Sequence, residues 1–333
     1  MQEYVDLINS FVWSPVLVYL LLAAGLFFSV LTRFVQVRLF KEMIRLLFSS
    51  KESDRGISSF QALSVSLSGR VGTGNIAGVA AAIGFGGPGA VFWMWVVAFL
   101  GAATAYVESA LGQIYKEEDE GQLRGGPAYY IEKAMGQKWY AWIFAISTIF
   151  AVGLLLPTVQ SNAIGNAADL AFGGSGVLET SLGTVTYTKL ITAICVVFLL
   201  GFIIFGGVKR IAHFTQVVVP FMAIGYVLLA IVIILMHITE LPGILMLIVT
   251  DAFTPMAGIG AAIGWGVKRG VYSNEAGQGT GPHAAAASEV EHPAQQGLVQ
   301  AFSVYVDTLF VCSATAFMIL ITNQYYVTGI EAT

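Results

Sequence analysis

The decapeptide Gly69-Arg70-Val71-Gly72-Thr73-Gly74-Asn75-Ile76-Ala77-Gly78 sets a guanidinium, a carboxamide and four glycines inside a stretch otherwise apolar enough to cross a membrane. In hydrocarbon the backbone must satisfy its own polar groups, so such a run is tolerated only where protein or an aqueous cavity covers it. Where a helix unwinds, the half that restarts offers free N–H groups and a partial positive charge. The half that ends offers free carbonyls and a partial negative charge. Amides near Thr73, Gly74 and Asn75 therefore suit a carboxylate, and carbonyls near Ser68, Gly69 and Val71 suit an ammonium group or a small cation. Glycine lets a ligand approach the backbone closely, and Asn75 adds a neutral oxygen that a hard cation can use.

A second segment repeats the first. Arg70, Asn75, Ala77 and Gly78 share their spacing with Arg269, Asn274, Ala276 and Gly277 of Lys268-Arg269-Gly270-Val271-Tyr272-Ser273-Asn274-Glu275-Ala276-Gly277. The second copy falls five spans after the first, an odd step, so the two segments enter the membrane in opposite directions. Inverted repeats with matched glycine-interrupted helices point to a secondary transporter whose site lies near the midplane, where the breaks meet.

The elements that must hold these breaks are membrane helices. Hydrophobic residues make up 56% of the 333-residue chain, charged residues 11%, and the mean hydropathy is +0.77; soluble domains carry roughly 25% charged residues. Apolar runs near the ~20-residue length of a span predict eight segments, at 11–31, 59–84, 88–115, 139–168, 190–206, 215–237, 254–287 and 296–322. Pro157 and Pro220 are expected to kink two of them, and 264–282 interrupts the seventh. Arg33, Arg38, Lys41, Arg45, Lys51 and Arg55 fill one loop, Lys116, Arg124, Lys133 and Lys138 another, and Lys209 and Arg210 a third, whereas the alternate segments carry only Lys189. The positive-inside rule then puts the N-terminus outside and these loops in the cytoplasm. The first basic loop also contains Val35, Val37, Leu39, Phe40, Met43, Ile44, Leu46, Leu47 and Phe48, which fits either an amphipathic helix on the membrane surface or a helix packed under the bundle. Cys195 and Cys312 lack metal or disulfide spacing and read as packing residues. An acidic N-terminus with Glu3 and Asp6 does not resemble a cleaved signal peptide.

The two glycine motifs, together with Val159-Gln160-Ser161-Asn162-Ala163 and Val306-Asp307-Thr308, resemble the alanine or glycine:cation symporter family of bacteria and archaea, along essentially the whole chain. The resemblance implies an all-α polytopic membrane protein of leucine-transporter type, in which one extra N-terminal helix precedes a five-plus-five inverted repeat. It also implies import of alanine or glycine with sodium as the coupling ion and no other cofactor. On that reading 1–58 holds the extra span and basic loop, 59–240 the first repeat with its broken helix at 59–85, and 241–333 the start of the second with its broken helix at 254–287. The family motif carries substrate binding to Thr73, Gly74 and Asn75, with Gln160, Trp265, Gly266, Ser273 and Asn274 as further contacts and Trp265 restricting the pocket. Sodium falls to Ser68, Val71, Asn75 and Asp307. Family members continue for several more spans, so the chain reads as truncated after the seventh core helix, and alone it is expected not to catalyse coupled transport.

Other readings compete. Gly72 and Gly74 also suit close helix packing, and a buried Asn75 also suits a bridge between helices. Arg70 and Arg269 read as structural, pairing with Glu108, Glu275 or carbonyls, since a fixed cation opposes sodium coordination. A proton-coupled permease using Glu275 or Asp307, and a non-transporting membrane subunit, remain alternatives. Gly72-x-Gly74-x-x-Ala77 matches a dinucleotide-binding pattern only formally, without the strand that motif requires. His213, His237, His283 and His292 lack ligand spacing, and no nucleophile set suggests an enzyme. The expected partners are an amino acid, sodium and the lipid bilayer, with no nucleic acid. The expected location is a cytoplasmic membrane, as helical spans exclude an outer-membrane barrel. Oligomeric state and the choice between alanine and glycine stay open.

Overall fold

The computed structural model describes residues 3–4, 7, 11–48, 55–174, 176–180, 183–254 and 259–322. Lys51 and residues 255–258, at the start of the seventh expected span, lie outside them. Helix α1 (Pro15–Leu31) opens on a proline, whose missing N–H costs nothing in a first turn. Two short helices follow, α2 (Val35–Arg38) and α3 (Phe40–Leu47). They resolve the ambiguity of the basic loop: Val35, Met43, Leu46 and Leu47 are buried against Leu298, Val299 and Tyr305, so this segment packs under the bundle. The Tyr305 hydroxyl donates to the Gln36 carbonyl at 3.3 Å.

Helix α4 (Ser59–Arg70) begins with a capping box, in which Gln61 N donates to Ser58 Oγ at 3.2 Å and Ser58 N to Gln61 Oε1 at 2.9 Å. It ends at Val71, where the backbone is extended, and a π-helical turn (Gly74–Gly78) leads into α5 (Val79–Gly86). The central helix α6 (Gly89–Ile114) starts almost at once. A hairpin, β1 (Glu117–Asp119) with β2 (Gln122–Arg124), and α7 (Pro127–Met135) then cover the side that carries the basic loops.

Helices α8 (Lys138–Thr148) and α9 (Leu156–Phe172) form one continuous span through a π segment (Ile149–Leu155). The wide turn immediately precedes Pro157, which supplies no N–H to the ladder. A second hairpin, β3 (Val177–Thr180) with β4 (Gly183–Thr186), leads to α10 (Tyr187–Ile204), and α11 (Gly207–Met236) carries Pro220 within it. The short α12 (Leu241–Asp251), unforeseen in the sequence, braces the turn into α6: Gly89 N donates to Asp251 Oδ2 at 2.7 Å. The second interrupted helix is α13 (Ile259–Asn274) with α14 (Gly281–Ala286). The last is α15 (Pro293–Val304), a π segment (Tyr305–Cys312) and α16 (Ser313–Ile321).

Among the described residues, five helical stretches are long and apolar enough to span a bilayer: Gly89–Ile114, Lys138–Phe172, Tyr187–Ile204, Gly207–Met236 and Pro293–Ile321. The stretches Gly89–Ile114 and Pro293–Ile321 are deeply buried and form the centre, while Lys138–Phe172, Tyr187–Ile204 and Gly207–Met236 turn apolar side chains outward. That outward apolar surface suits lipid and not water.

Candidate functional site

The two interrupted helices cross at their breaks. Gly74 lies so close to the other helix that a Cβ there would sit 3.3 Å from Ser273 Cα and 3.4 Å from the Tyr272 ring. Gly72 faces Gln160 in the same way, and Gln160 Oε1 accepts a hydrogen bond from Thr73 N at 3.1 Å. The amide assigned to a carboxylate thus already holds a neutral acceptor. Gly72 N donates to Asn75 Oδ1 at 2.8 Å, so Asn75 closes the first turn after the break.

Asp307 joins the two breaks. It sits in the π segment of the last helix and is fully buried. It accepts from Asn75 Nδ2 at 2.6 Å, from Ser273 Oγ at 2.9 Å and from Thr308 Oγ1 at 2.7 Å. Asn274 Nδ2 donates to Thr308 Oγ1 at 3.2 Å, so two consecutive residues of one helix hold one asparagine from each broken helix. Cys312, expected as packing, brings its sulfur to 3.3 Å from Asn75 Nδ2 and 3.2 Å from Ser273 Oγ. A π segment re-aims side chains relative to a regular helix and is frequent at functional sites. A buried carboxylate needs several donors to offset its lost hydration, and Asp307 has them. Its oxygens, with those of Ser273 and Thr308, form a hard donor set of the kind that suits an alkali cation, whereas Asn75 turns its amide nitrogen to the cluster and its oxygen to Gly72 N.

The second break is held differently. Helix α13 runs unbroken through Asn274 and ends at Glu275, whose φ is +53°. Its unwound continuation wraps a carboxylate from the protein itself: Glu108 Oε1 accepts from Gly277 N and Oε2 from Gly279 N, both at 3.1 Å. Both glycines have φ of +84°, which aims alternate amides at Glu108, while Gln278 N between them donates to the Glu275 carbonyl oxygen, in a way that side-chain-bearing residues rarely permit. Glu275 Oε2 accepts from Thr280 Oγ1 at 2.5 Å.

The expected interruption at 264–282 is thereby corrected to 275–280. Trp265 and Gly266 lie in regular helix, away from the break, and line no part of the main cavity. Gly266 serves packing, since a Cβ there would lie 2.4 Å from the Ala90 carbonyl oxygen. Trp265 stacks on Phe85, with ring centroids 4.6 Å apart. Among the described residues Arg70 pairs with no acid; its Nη1 donates to the Gln300 carbonyl oxygen at 3.4 Å and to Ser303 Oγ. Arg269 lies over the Trp265 ring at 5.3 Å.

A cavity of about 780 Å³ opens at the crossing. Its walls include Ser68, Val71, Gly72, Gly74 and Gln160 around the first break, Tyr272, Glu275 and Thr280 around the second, and Leu156 and Leu200 opposite. The four residues expected to hold sodium therefore separate: Asn75 and Asp307 meet in the buried cluster, while Ser68 and Val71 lie on the cavity wall. Of the expected substrate contacts, Thr73 and Gln160 touch each other, and Ser273 and Asn274 face the Asp307–Thr308 pair. Glu108 and Thr308 were not singled out as site residues. Thr308 follows Asp307 in a motif already noted, but nothing in the spacing connects Glu108 to Gly277.

These features define a multi-pass helical membrane protein with two interrupted helices gathered around a buried acid. The chain belongs to the sodium:alanine symporter family, whose model matches residues 1–333. It is 60% identical over 329 residues to the putative sodium/proton-dependent alanine carrier protein YrbD of Bacillus subtilis, covering 98% of this chain and 65% of that protein. It is 50% identical over 289 residues to the sodium/proton-dependent alanine carrier protein of Bacillus sp. PS3, covering 86% and 62%. It is 44% identical over 337 residues to the probable sodium/glutamine symporter GlnT of Bacillus subtilis, covering 99% and 68%. The chain thus spans about two thirds of the length of these relatives, which are named as carriers and symporters and not as enzymes.

Proposed function

We propose that the protein is a sodium-coupled secondary transporter that imports a small neutral amino acid, alanine or glycine, by alternating access. It does so in a cytoplasmic membrane with its N-terminus outside, on a leucine-transporter-type fold whose inverted repeat pairs the two broken helices. The observation that carries this reading is the Asp307 cluster, where Asn75 and Ser273, one from each broken helix, donate to the same carboxylate. A sodium ion entering there is held by Asp307, by the hydroxyl oxygens of Ser273 and Thr308 and, once its carboxamide turns from Gly72 N, by Asn75 Oδ1, and its charge draws both breaks toward one point. Coupling follows if the amino acid bridges the same two helices through the neighbouring cavity, because each ligand then favours the arrangement that the other needs. Its carboxylate replaces Gln160 Oε1 at Thr73 N, and Gly74, Ser273 and Asn274 border it. Ser68 and Val71 contribute to a second sodium site.

A proton as co-coupling ion is the second reading. Two relatives carry sodium/proton-dependent in their names, and Glu275 is a carboxyl group on the cavity wall. Uptake of labelled alanine, glycine and glutamine into proteoliposomes, with sodium and proton gradients imposed separately, tests both. Sodium-driven alanine or glycine uptake supports the first; uptake that follows pH alone overturns it, and a strong preference for glutamine overturns the substrate assignment.

A further inference from the structure

Lys268 and Arg269 are adjacent cations in the second motif that neither the cavity nor the Asp307 cluster uses. Both press against one indole: the Lys268 ammonium lies 5.0 Å and the Arg269 guanidinium carbon 5.3 Å from the Trp265 ring centroid. Lys268 is also 5.1 Å from the Trp13 ring, at the start of α1. Among the described residues neither cation has an ion pair or a hydrogen bond, and Arg269 Nε is buried without an acceptor. Two neighbouring positive charges within a membrane helix are costly unless an anion accompanies them.

The space for that anion is present. A groove of about 360 Å³ runs between α1 and α13, lined by Trp13, Val18 and Tyr19 on one side and by Ile263, Trp265 and Lys268 on the other. Gly260 and Gly264 also line it, and a Cβ at either would meet nothing within 4 Å. Unlike Gly266 and Gly270, which abut α6, they leave the groove open instead of docking a helix. The Lys268 side chain extends toward the α1 terminus, where tryptophan and tyrosine mark the usual depth of lipid headgroups.

We propose that this groove binds an anionic phospholipid, with its phosphate at Lys268 and one acyl chain along the open face of Gly260 and Gly264. Charge selects the headgroup, and the apolar walls at Val18 and Ile263 select a lipid over a soluble anion. The site ties the first helix to the second broken helix and is independent of the transported substrate.

The test is native mass spectrometry of the purified full chain titrated separately with phosphatidylglycerol, phosphatidylcholine and inorganic phosphate. Phosphatidylglycerol should be retained preferentially; Lys268→Gln should weaken its binding about fivefold, the scale of one basic residue at a headgroup, and Lys268→Arg should restore it. Gly264→Leu, which fills the groove without changing charge, should also expel the lipid and guards against misfolding of the charge variant. Equal retention of the two lipids, phosphate binding that needs no acyl chain, undiminished binding by Lys268→Gln, or a stable dimer that covers the groove would overturn the proposal.

Discussion

The Asn75 side-chain amide donates to Asp307 Oδ1 at 2.6 Å, across a sequence separation of 232 residues. The first break and the last described helix are therefore one polar unit. Asp307 receives Ser273 as well, so its carboxylate is the point at which both interrupted helices are fixed.

Asp307→Asn should raise the sodium concentration for half-maximal uptake by about tenfold or more, since charge-assisted hydrogen bonds are worth roughly 1.5–3 kcal/mol each. The measurement is sodium-dependent alanine uptake in proteoliposomes. An unchanged sodium dependence with full uptake would remove Asp307 from the ion site.

Gln160→Glu should weaken alanine uptake by about tenfold in KM, because it offers Thr73 N a permanent charged acceptor where a neutral one now sits. Gln160→Ala should instead leave that amide open. If the glutamate variant transports with an unaltered KM, the carboxylate does not bind at Thr73.

Glu108→Ala should lower thermal stability, since the buried amide of Gly279 loses its acceptor at about 1–3 kcal/mol and the more exposed amide of Gly277 loses its own at a smaller cost. Glu108→Gln should recover part of the loss. Hydrogen exchange of the unwound segment reports the effect without any transport assay, and unaltered protection at Gly277 and Gly279 would count against it.

Gly266→Ala separates packing from binding. Its methyl group would crowd the Ala90 carbonyl oxygen, so a loss of about 1–3 kcal/mol in stability is expected with little change in the KM of the folded fraction. A selective change in substrate preference at full stability would return Gly266 to the binding site.

The first break was legible because three of its features coincide: polar side chains, clustered glycines and a span that tolerates neither. The second was legible in existence but not in place. Glycine in a membrane helix serves both for unwinding and for close approach, and only the neighbours of Gly266 and Gly270 on α6 reveal the second use. Asp307 was reached through the resemblance that Val306-Asp307-Thr308 carries, whereas Glu108 was expected only as a partner of Arg70, because its actual partners are backbone amides that no sequence motif names. Arg70 was expected to meet an acid or a carbonyl; the acids near it are held by other donors, and it turned to Gln300 and Ser303. The basic loop offered two placements of equal hydrophobic merit, and its burial beneath Leu298 and Tyr305 depends on a helix far away in sequence.

On the side of the basic loops, Ile57 N donates to the Ala287 carbonyl oxygen at 3.0 Å and Glu289 N to the Ile57 carbonyl oxygen at 3.3 Å, a short parallel bridge between the entry to α4 and the exit from α14. Lys116 Nζ adds a bond to the Ser288 carbonyl oxygen at 2.8 Å. This staple has a consequence for biosynthesis. Ile57 leaves the ribosome long before Ser288 does, and at the usual ~5–20 residues per second the first broken helix waits in the bilayer for on the order of ten seconds or more before its partner exists. Its capping box can form at once, but its glycine break cannot be sealed until the nascent chain has delivered the second half of the bridge.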